Sequence, residues 1–128
     1  MDLRIADIRR RVARVGAASP DDIDAVDDIL DAEGPSVELL ILRGQRIQLV
    51  ADTGPEELEE AFACYQEALE LDPGSAYAHE EIGHFLDDVA DEPSGALAFF
   101  RKAIELGAGA SAHEGLRDVL SQLEPEEH

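Results

Sequence analysis

Apolar residues recur at three- and four-residue spacing along most of the chain, in segments separated by glycine and proline. This spacing is typical of amphipathic helices, and the strict alternation typical of strands extends nowhere beyond a few positions. The pattern predicts seven helices joined by tight turns, which cover residues 2–15, 20–33, 35–51, 54–71, 75–89, 93–106 and 111–123. We therefore expect an all-α protein.

Two of the predicted helices begin with recognisable signals. Pro20 opens one, and the carboxylates of Asp21 and Asp22 lie in its first turn, where the helix dipole favours negative charge. Thr53 precedes another, with Glu56 three residues later, which is the spacing of a capping box. These signals support the helical assignment and its boundaries.

An internal repeat of 35 residues connects the middle of the chain with its later part. The segment 59–72 aligns with 94–107, and the alignment pairs Ala61 with Ala96, Tyr65 with Phe100, Ala68 with Ala103, and Leu71 with Leu106. Upstream, Gly44 in the segment 39–47 aligns with Gly83 in the segment 78–86. Small residues at such spacing let two helices approach closely while the aromatic ring fills the space beside them. The repeating unit is thus a helical hairpin.

This hairpin resembles the tetratricopeptide repeat (TPR), a helix–turn–helix unit of 34 residues. The resemblance is carried by Leu40, Gly44, Ile47, Ala61, Tyr65, Ala68 and Pro73 in one repeat and by Ile82, Gly83, Leu86, Ala96, Phe100 and Ala103 in the next. It implies one domain over residues 1–128, a right-handed superhelical stack of antiparallel hairpins. Residues 1–34 would form a degenerate first hairpin, 35–74 and 75–109 two repeats, 110–123 a capping helix and 124–128 a frayed tail.

Two features depart from the family pattern. Leu40 and His79 stand where a large aromatic residue is expected early in the first helix of each unit. The turns inside the two hairpins are also longer than usual, by about one residue near 90–92 and about five near 51–58.

The resemblance implies that the first helix of each hairpin lines a concave groove for a partner. Register places ten residues there: Ile41, Gln45, Gln48, Tyr77, Glu80, His84, Asp87, Asp88, Glu114 and Asp118. Family members that bind chaperones hold a terminal carboxylate with a Lys/Asn/Arg clamp at such positions, whereas this chain offers acids. We expect a non-catalytic protein-interaction module for a basic or amphipathic segment of a partner. The alternative is that these acids only keep the protein in solution.

The net charge of the chain further limits the classes of partner that we expect. The chain carries 30 Asp and Glu against 10 Lys and Arg, a formal net charge of -20. We therefore expect no binding to nucleic acid or to an anionic membrane surface, since both need clustered Lys and Arg. Residues 1–14 differ, because five arginines give them a net charge of +3 and leave -23 on the rest. This helix could pack as an ordinary first hairpin, or dock on an acidic face of another copy and form a homodimer.

Reactive side chains are few. Cys64 is the sole cysteine, which excludes an internal disulfide, and its acidic neighbours in sequence favour a packing role over a reactive thiolate. His79 and His84 are five residues apart, which turns them away from each other on a helix, so we expect one packed and one surface histidine. We expect neither a cofactor, a metal nor catalysis. With no long apolar run, a cytoplasmic protein is the expected localisation.

Overall fold

The computed structural model describes residues 20–50 and 54–123, and this part of the chain is all-α. It contains six helices: α1 (Pro20–Glu33), α2 (Val37–Leu49), α3 (Pro55–Leu71), α4 (Ala76–Asp88), α5 (Pro93–Glu105) and α6 (Ala110–Leu123). The all-α prediction is confirmed there, and six of the seven predicted helices are present. The predicted helix at residues 2–15 and the proposed cap at Thr53 lie outside the described residues. Among the described helices none is long and apolar enough to span a membrane.

Serine side chains determine where two of the helices begin. Ser36 is the N-cap of α2, and its Oγ accepts a hydrogen bond from the backbone N–H of Leu39 at 3.2 Å. Ser75 caps α4 in the same way, with the N–H of Ala78 at 3.1 Å. Because a cap residue lies outside the helical conformation, α2 begins two residues later than the pattern predicts.

The helices fall into two compact units, Met1–Leu71 and Asp72–His128. In the described part of the first unit, α2 packs against both α1 and α3. Four buried residues of α1 and α2 form an apolar cluster: Val26, Ile29, Leu39 and Leu42. On the α3 side of α2, Gly44 lies against the ring of Tyr65, so closely that a Cβ at this position would be 2.5 Å from Cε1 of the ring.

In the second unit, α5 packs against both α4 and α6. Its Phe100 side chain is completely buried and faces a glycine on each neighbour. A Cβ on Gly83 of α4 would lie 2.9 Å from the ring, and a Cβ on Gly115 of α6 only 2.5 Å from it. The absence of two β-carbons therefore creates the space that one aromatic ring fills.

The two units share the packing that the sequence repeat predicts. Three of the four aligned pairs are fully buried on both sides: Ala61 with Ala96, Tyr65 with Phe100, and Ala68 with Ala103. The fourth pair differs, because Leu71 is 48% exposed and Leu106 is half-buried. Both leucines lie at a helix end, where the chain leaves the neighbouring helix.

Candidate functional site

Two side-chain hydrogen bonds connect α4 with α6 in the second unit. Nε2 of His84 lies 3.1 Å from Oγ of Ser111, and Nε2 of Gln122 donates to Oδ1 of Asp87 at 2.7 Å. Of these residues, Asp87 follows His84 on α4 and its partner Gln122 follows Ser111 on α6. The two helices therefore run in the same general direction. Equivalent helices of successive hairpins have this relation.

The face that these bonds cross holds seven of the ten residues that sequence register assigned to a groove. We call it the acidic face and define it by Tyr77, Glu80, His84, Asp87 and Asp88 of α4 with Glu114 and Asp118 of α6. On α4 they follow one another at helical spacing, which places them on one stripe. Glu80, His84 and Asp87 are half-buried, and the other four are exposed. The structure thus places these seven residues on two connected helices, and their role as a groove stays a prediction.

Ser111 and Gln122 complete the acidic face and were missed by sequence reasoning. They lie seven residues before and four residues after Asp118, which puts all three on one stripe of α6. Helical spacing from Asp118 could have indicated them. Their partners on α4 could not be read in this way, because the contact depends on how two helices pack.

Glu80, His84 and Ser111 bring together the three residue types of a hydrolytic triad. A triad needs the carboxylate on one ring nitrogen of the histidine, where it orients the ring, and the serine on the other nitrogen, which takes the hydroxyl proton as general base. Here Oε2 of Glu80 lies 3.4 Å from Nε2, the same nitrogen that contacts Ser111. This cluster therefore connects helices and lacks the geometry that would activate the Ser111 hydroxyl.

The other three predicted groove residues lie on α2, in the first unit. Ile41 is fully buried and offers no surface to a partner, so its assignment to a groove was wrong. Residues 39–42 are four consecutive apolar residues, so this segment of α2 has apolar side chains on every side. A helix segment of this kind is buried on every side. Gln45 and Gln48 are half-buried. Oε1 of Gln48 accepts a hydrogen bond from the hydroxyl of Tyr65.

The histidines of α4 occupy different environments. His79 is buried, with its ring tilted against Phe99 at 5.9 Å between centroids and Nε2 3.0 Å from the carbonyl oxygen of Pro73. His84 is partly exposed on the acidic face. The prediction of one packed and one surface histidine is confirmed. No group of three or more His, Cys, Asp or Glu suited to a metal ion exists within residues 20–50 and 54–123.

Arg43 joins all three described helices of the first unit. From α2, its Nε donates to Oδ1 of Asp27 on α1 at 2.6 Å, and its Nη2 donates to Oε2 of Glu60 on α3 at 2.9 Å. Its Nη1 lies 3.3 Å from the sulfur of Cys64, also on α3. Sequence reasoning missed this contact, because the three partners lie 16 to 21 residues away.

These contacts shift the pKa values of both the guanidinium and the thiol. Partial burial favours a neutral Arg43, but the hydrogen bonds with Asp27, Cys64 and Glu60 outweigh it and raise the pKa of Arg43, which stays charged. Burial also raises the pKa of Cys64, and the nearby guanidinium offsets this only in part. A raised pKa means a protonated and unreactive thiol, in line with the predicted packing role.

The raised pKa of Cys64 predicts a loss of stability at alkaline pH. Above about pH 8.5 the unfolded chain releases the thiol proton while the folded chain retains it, so the free energy of unfolding falls as pH rises. Urea denaturation between pH 7 and pH 10 checks this. Cys64→Ala should flatten the slope relative to the natural chain, and an identical slope in the two proteins would contradict the assignment.

No family model matches the sequence, and no curated protein matches it either.

Proposed function

We propose that this chain is a non-catalytic protein-interaction module, and that the acidic face of its second unit binds a basic or amphipathic segment of a partner protein. The observation that carries the proposal is the position of five carboxylates on two helices that side-chain hydrogen bonds connect. These are the carboxylates of Glu80, Asp87, Asp88, Glu114 and Asp118.

The charge of these helices supports a cationic partner. Helix α4 contains four acidic residues and no Lys or Arg, and α6 contains two acidic residues and one arginine, Arg117. A surface of one charge sign attracts a partner of the opposite sign and repels others, which determines specificity and association rate more than affinity. Tyr77, which is 40% exposed, adds an aromatic surface at the beginning of α4. Aromatic side chains are enriched at interfaces.

The hydrogen bonds between α4 and α6 support a preformed surface. Asp87 is oriented by the amide of Gln122, and His84 by Ser111 and Glu80. A partner that binds a preformed surface loses less free energy to ordering of the protein's side chains. The arrangement thus favours recognition of a short segment without refolding of the unit.

We further propose that the chain is a TPR-like repeat protein whose hairpins form a right-handed superhelical stack. What supports this is the same glycine–aromatic contact in both units, Gly44 with Tyr65 and Gly83 with Phe100. The shared direction of α4 and α6 agrees with successive hairpins. In such stacks each unit contacts mainly its neighbours, and the helices that line one face recur once per unit.

Binding to the acidic face can be measured with a synthetic helical peptide of about 18 residues, five helical turns, with leucines on one face and lysines on the other. The test variant is E80Q/D87N/E114Q/D118N, which removes four carboxylates and preserves side-chain shape. We expect its affinity for the peptide to be at least about tenfold weaker than that of the natural chain, a loss of about 1.4 kcal/mol. The affinity of the natural chain should also fall as salt is added.

A matched control separates local recognition from net charge. The variant D24N/D31N/E59Q/E70Q removes four carboxylates from exposed positions of the first unit, so both variants have the same net charge. The control should bind the peptide nearly as tightly as the natural chain. Equal losses in the two variants would show that only total charge matters, and the proposed site would then be wrong.

A further inference from the structure

Helix α6 has an apolar edge on the side away from α4. Its side-chain hydrogen bonds with α4 are made by Ser111 and Gln122, on one side of the buried stripe of the helix. Leu116, Leu120 and Leu123 lie on the other side at spacings of four and three residues. Leu120 and Leu123 are 37% and 38% exposed, and Leu116 is half-buried. The three leucines therefore form one apolar row along the helix, and two of them are exposed.

Helix α5 extends this edge. Phe99 and Gly95 lie on the side of α5 that faces α4, where they meet His79 and Leu86 respectively. The opposite side, next to α6, presents Leu97 and Ile104, both half-buried, seven residues apart on one stripe.

We call these five residues the leucine edge: Leu97 and Ile104 of α5 with Leu116, Leu120 and Leu123 of α6.

Two arginines lie beside the leucine edge, and Glu105, the carboxylate that follows Ile104, pairs with Lys102 at 3.4 Å. Arg101 lies between Leu97 and Ile104 on the same stripe of α5, and Arg117 follows Leu116 on α6. Both arginines are exposed, and neither forms an ion pair with any described residue. In a chain of net charge -20, two exposed guanidinium groups beside an apolar row are a local exception.

We propose that the leucine edge is a second docking surface, and that it binds an amphipathic helix with acidic flanks supplied by a partner protein. The apolar row fits the apolar stripe of a helix, which supplies the burial free energy. Arg101 and Arg117 select the sign of the flanking charge, because a guanidinium pairs with carboxylates and repels lysines. The second unit therefore presents two surfaces of opposite preference, and this one does not depend on the function proposed for the acidic face.

The test uses the full chain and two synthetic helical peptides, each with a row of leucines flanked by either glutamates or lysines. Binding is measured near physiological salt, where charges farther than about 8 Å are screened and the arginines beside the peptide dominate. We expect the glutamate peptide to bind the natural chain. Affinity should fall at least about tenfold in R101E/R117E, and by a similar factor in L120S/L123S. The lysine peptide should prefer R101E/R117E to the natural chain, a gain that misfolding could not produce.

Two control variants make the same kinds of substitution at positions away from the leucine edge. K102E reverses an exposed charge on another side of α5, and L71S shortens an exposed leucine at the end of α3. Both controls should bind the glutamate peptide like the natural chain. The acidic-face variant E80Q/D87N/E114Q/D118N should also bind it unchanged, which would show that the two surfaces bind independently.

Three results would overturn the proposal. The first is that the natural chain does not bind the glutamate peptide, and the second is that R101E/R117E binds it unchanged. The third is a dimer of the natural chain in sedimentation velocity that L120S/L123S dissociates, because the occupant would then be a second copy of this chain.

Discussion

Replacing Phe100 with alanine is expected to lower the free energy of unfolding by about 3–5 kcal/mol, the largest effect of any single substitution considered for this chain. The ring is completely buried and fills the space between Gly83 and Gly115. Neither glycine has a side chain that could move into the space, so the cavity would remain open. Urea denaturation followed by circular dichroism measures the change.

The same contact predicts how two substitutions combine. A Cβ on Gly115 would lie 2.5 Å from Cζ of Phe100, so Gly115→Ala forces the ring to move and should destabilise the protein by about 1–3 kcal/mol. In a Phe100→Leu background the smaller side chain leaves room, and Gly115→Ala should cost much less. Gly109→Ala is the control, since a Cβ there meets nothing within 4 Å. Additive effects of the two substitutions would argue against the contact.

Replacing Arg43 with alanine is expected to destabilise the protein by about 2–3 kcal/mol. The guanidinium contacts α1 through Asp27 and α3 through Glu60 and Cys64, so its loss removes links between three helices at once. We expect no larger loss, because the Asp27 and Glu60 side chains are 40% and 52% exposed. Water therefore screens both ion pairs and weakens them.

Arg43→Lys separates geometry from charge. An ammonium group keeps the positive charge but is a compact donor that cannot span three partners as the planar guanidinium does. It should recover less than half of the stability that Arg43→Ala loses. Lys102→Ala is the control, because its exposed pair with Glu105 on the same helix should contribute less than about 0.5 kcal/mol. If Arg43→Lys were as stable as the natural chain, charge alone would explain the effect.

Much of the fold could be predicted because helices and their ends depend on nearby residues. The spacing of apolar residues gave the type of each described helix, and glycine, proline and serine gave the ends within about two residues. The repeat also paired Tyr65 with Phe100, and both rings fill a gap left by a glycine. What depends on distant residues was harder to predict. The three partners of Arg43 on two other helices left no local pattern that sequence reasoning could use.

The candidate site also has one part that the sequence predicts and another part that depends on how the helices pack. The resemblance to the tetratricopeptide repeat placed seven groove positions on α4 and α6, and these residues lie on one face of the second unit. Ile41 was placed in the groove in the same way, but it is buried. Residues 39–42 are four consecutive apolar residues, so this part of α2 is buried on every side and has no polar face. The leucine edge was not anticipated at all, since Leu116 and Leu120 look like ordinary core residues until the position of α4 relative to α6 is known.

We expect a basic segment to bind on the acidic face of α4 and α6 and not on the acids of α1. The most direct measurement is a titration of the ¹⁵N-labelled full chain with the lysine-faced peptide, followed residue by residue in amide correlation spectra. We expect the largest shifts at Glu80, Asp87 and Asp118, with little change at Asp24 and Asp31 of α1. Shifts of similar size at all exposed acids, or the largest shifts on α1, would contradict the claim.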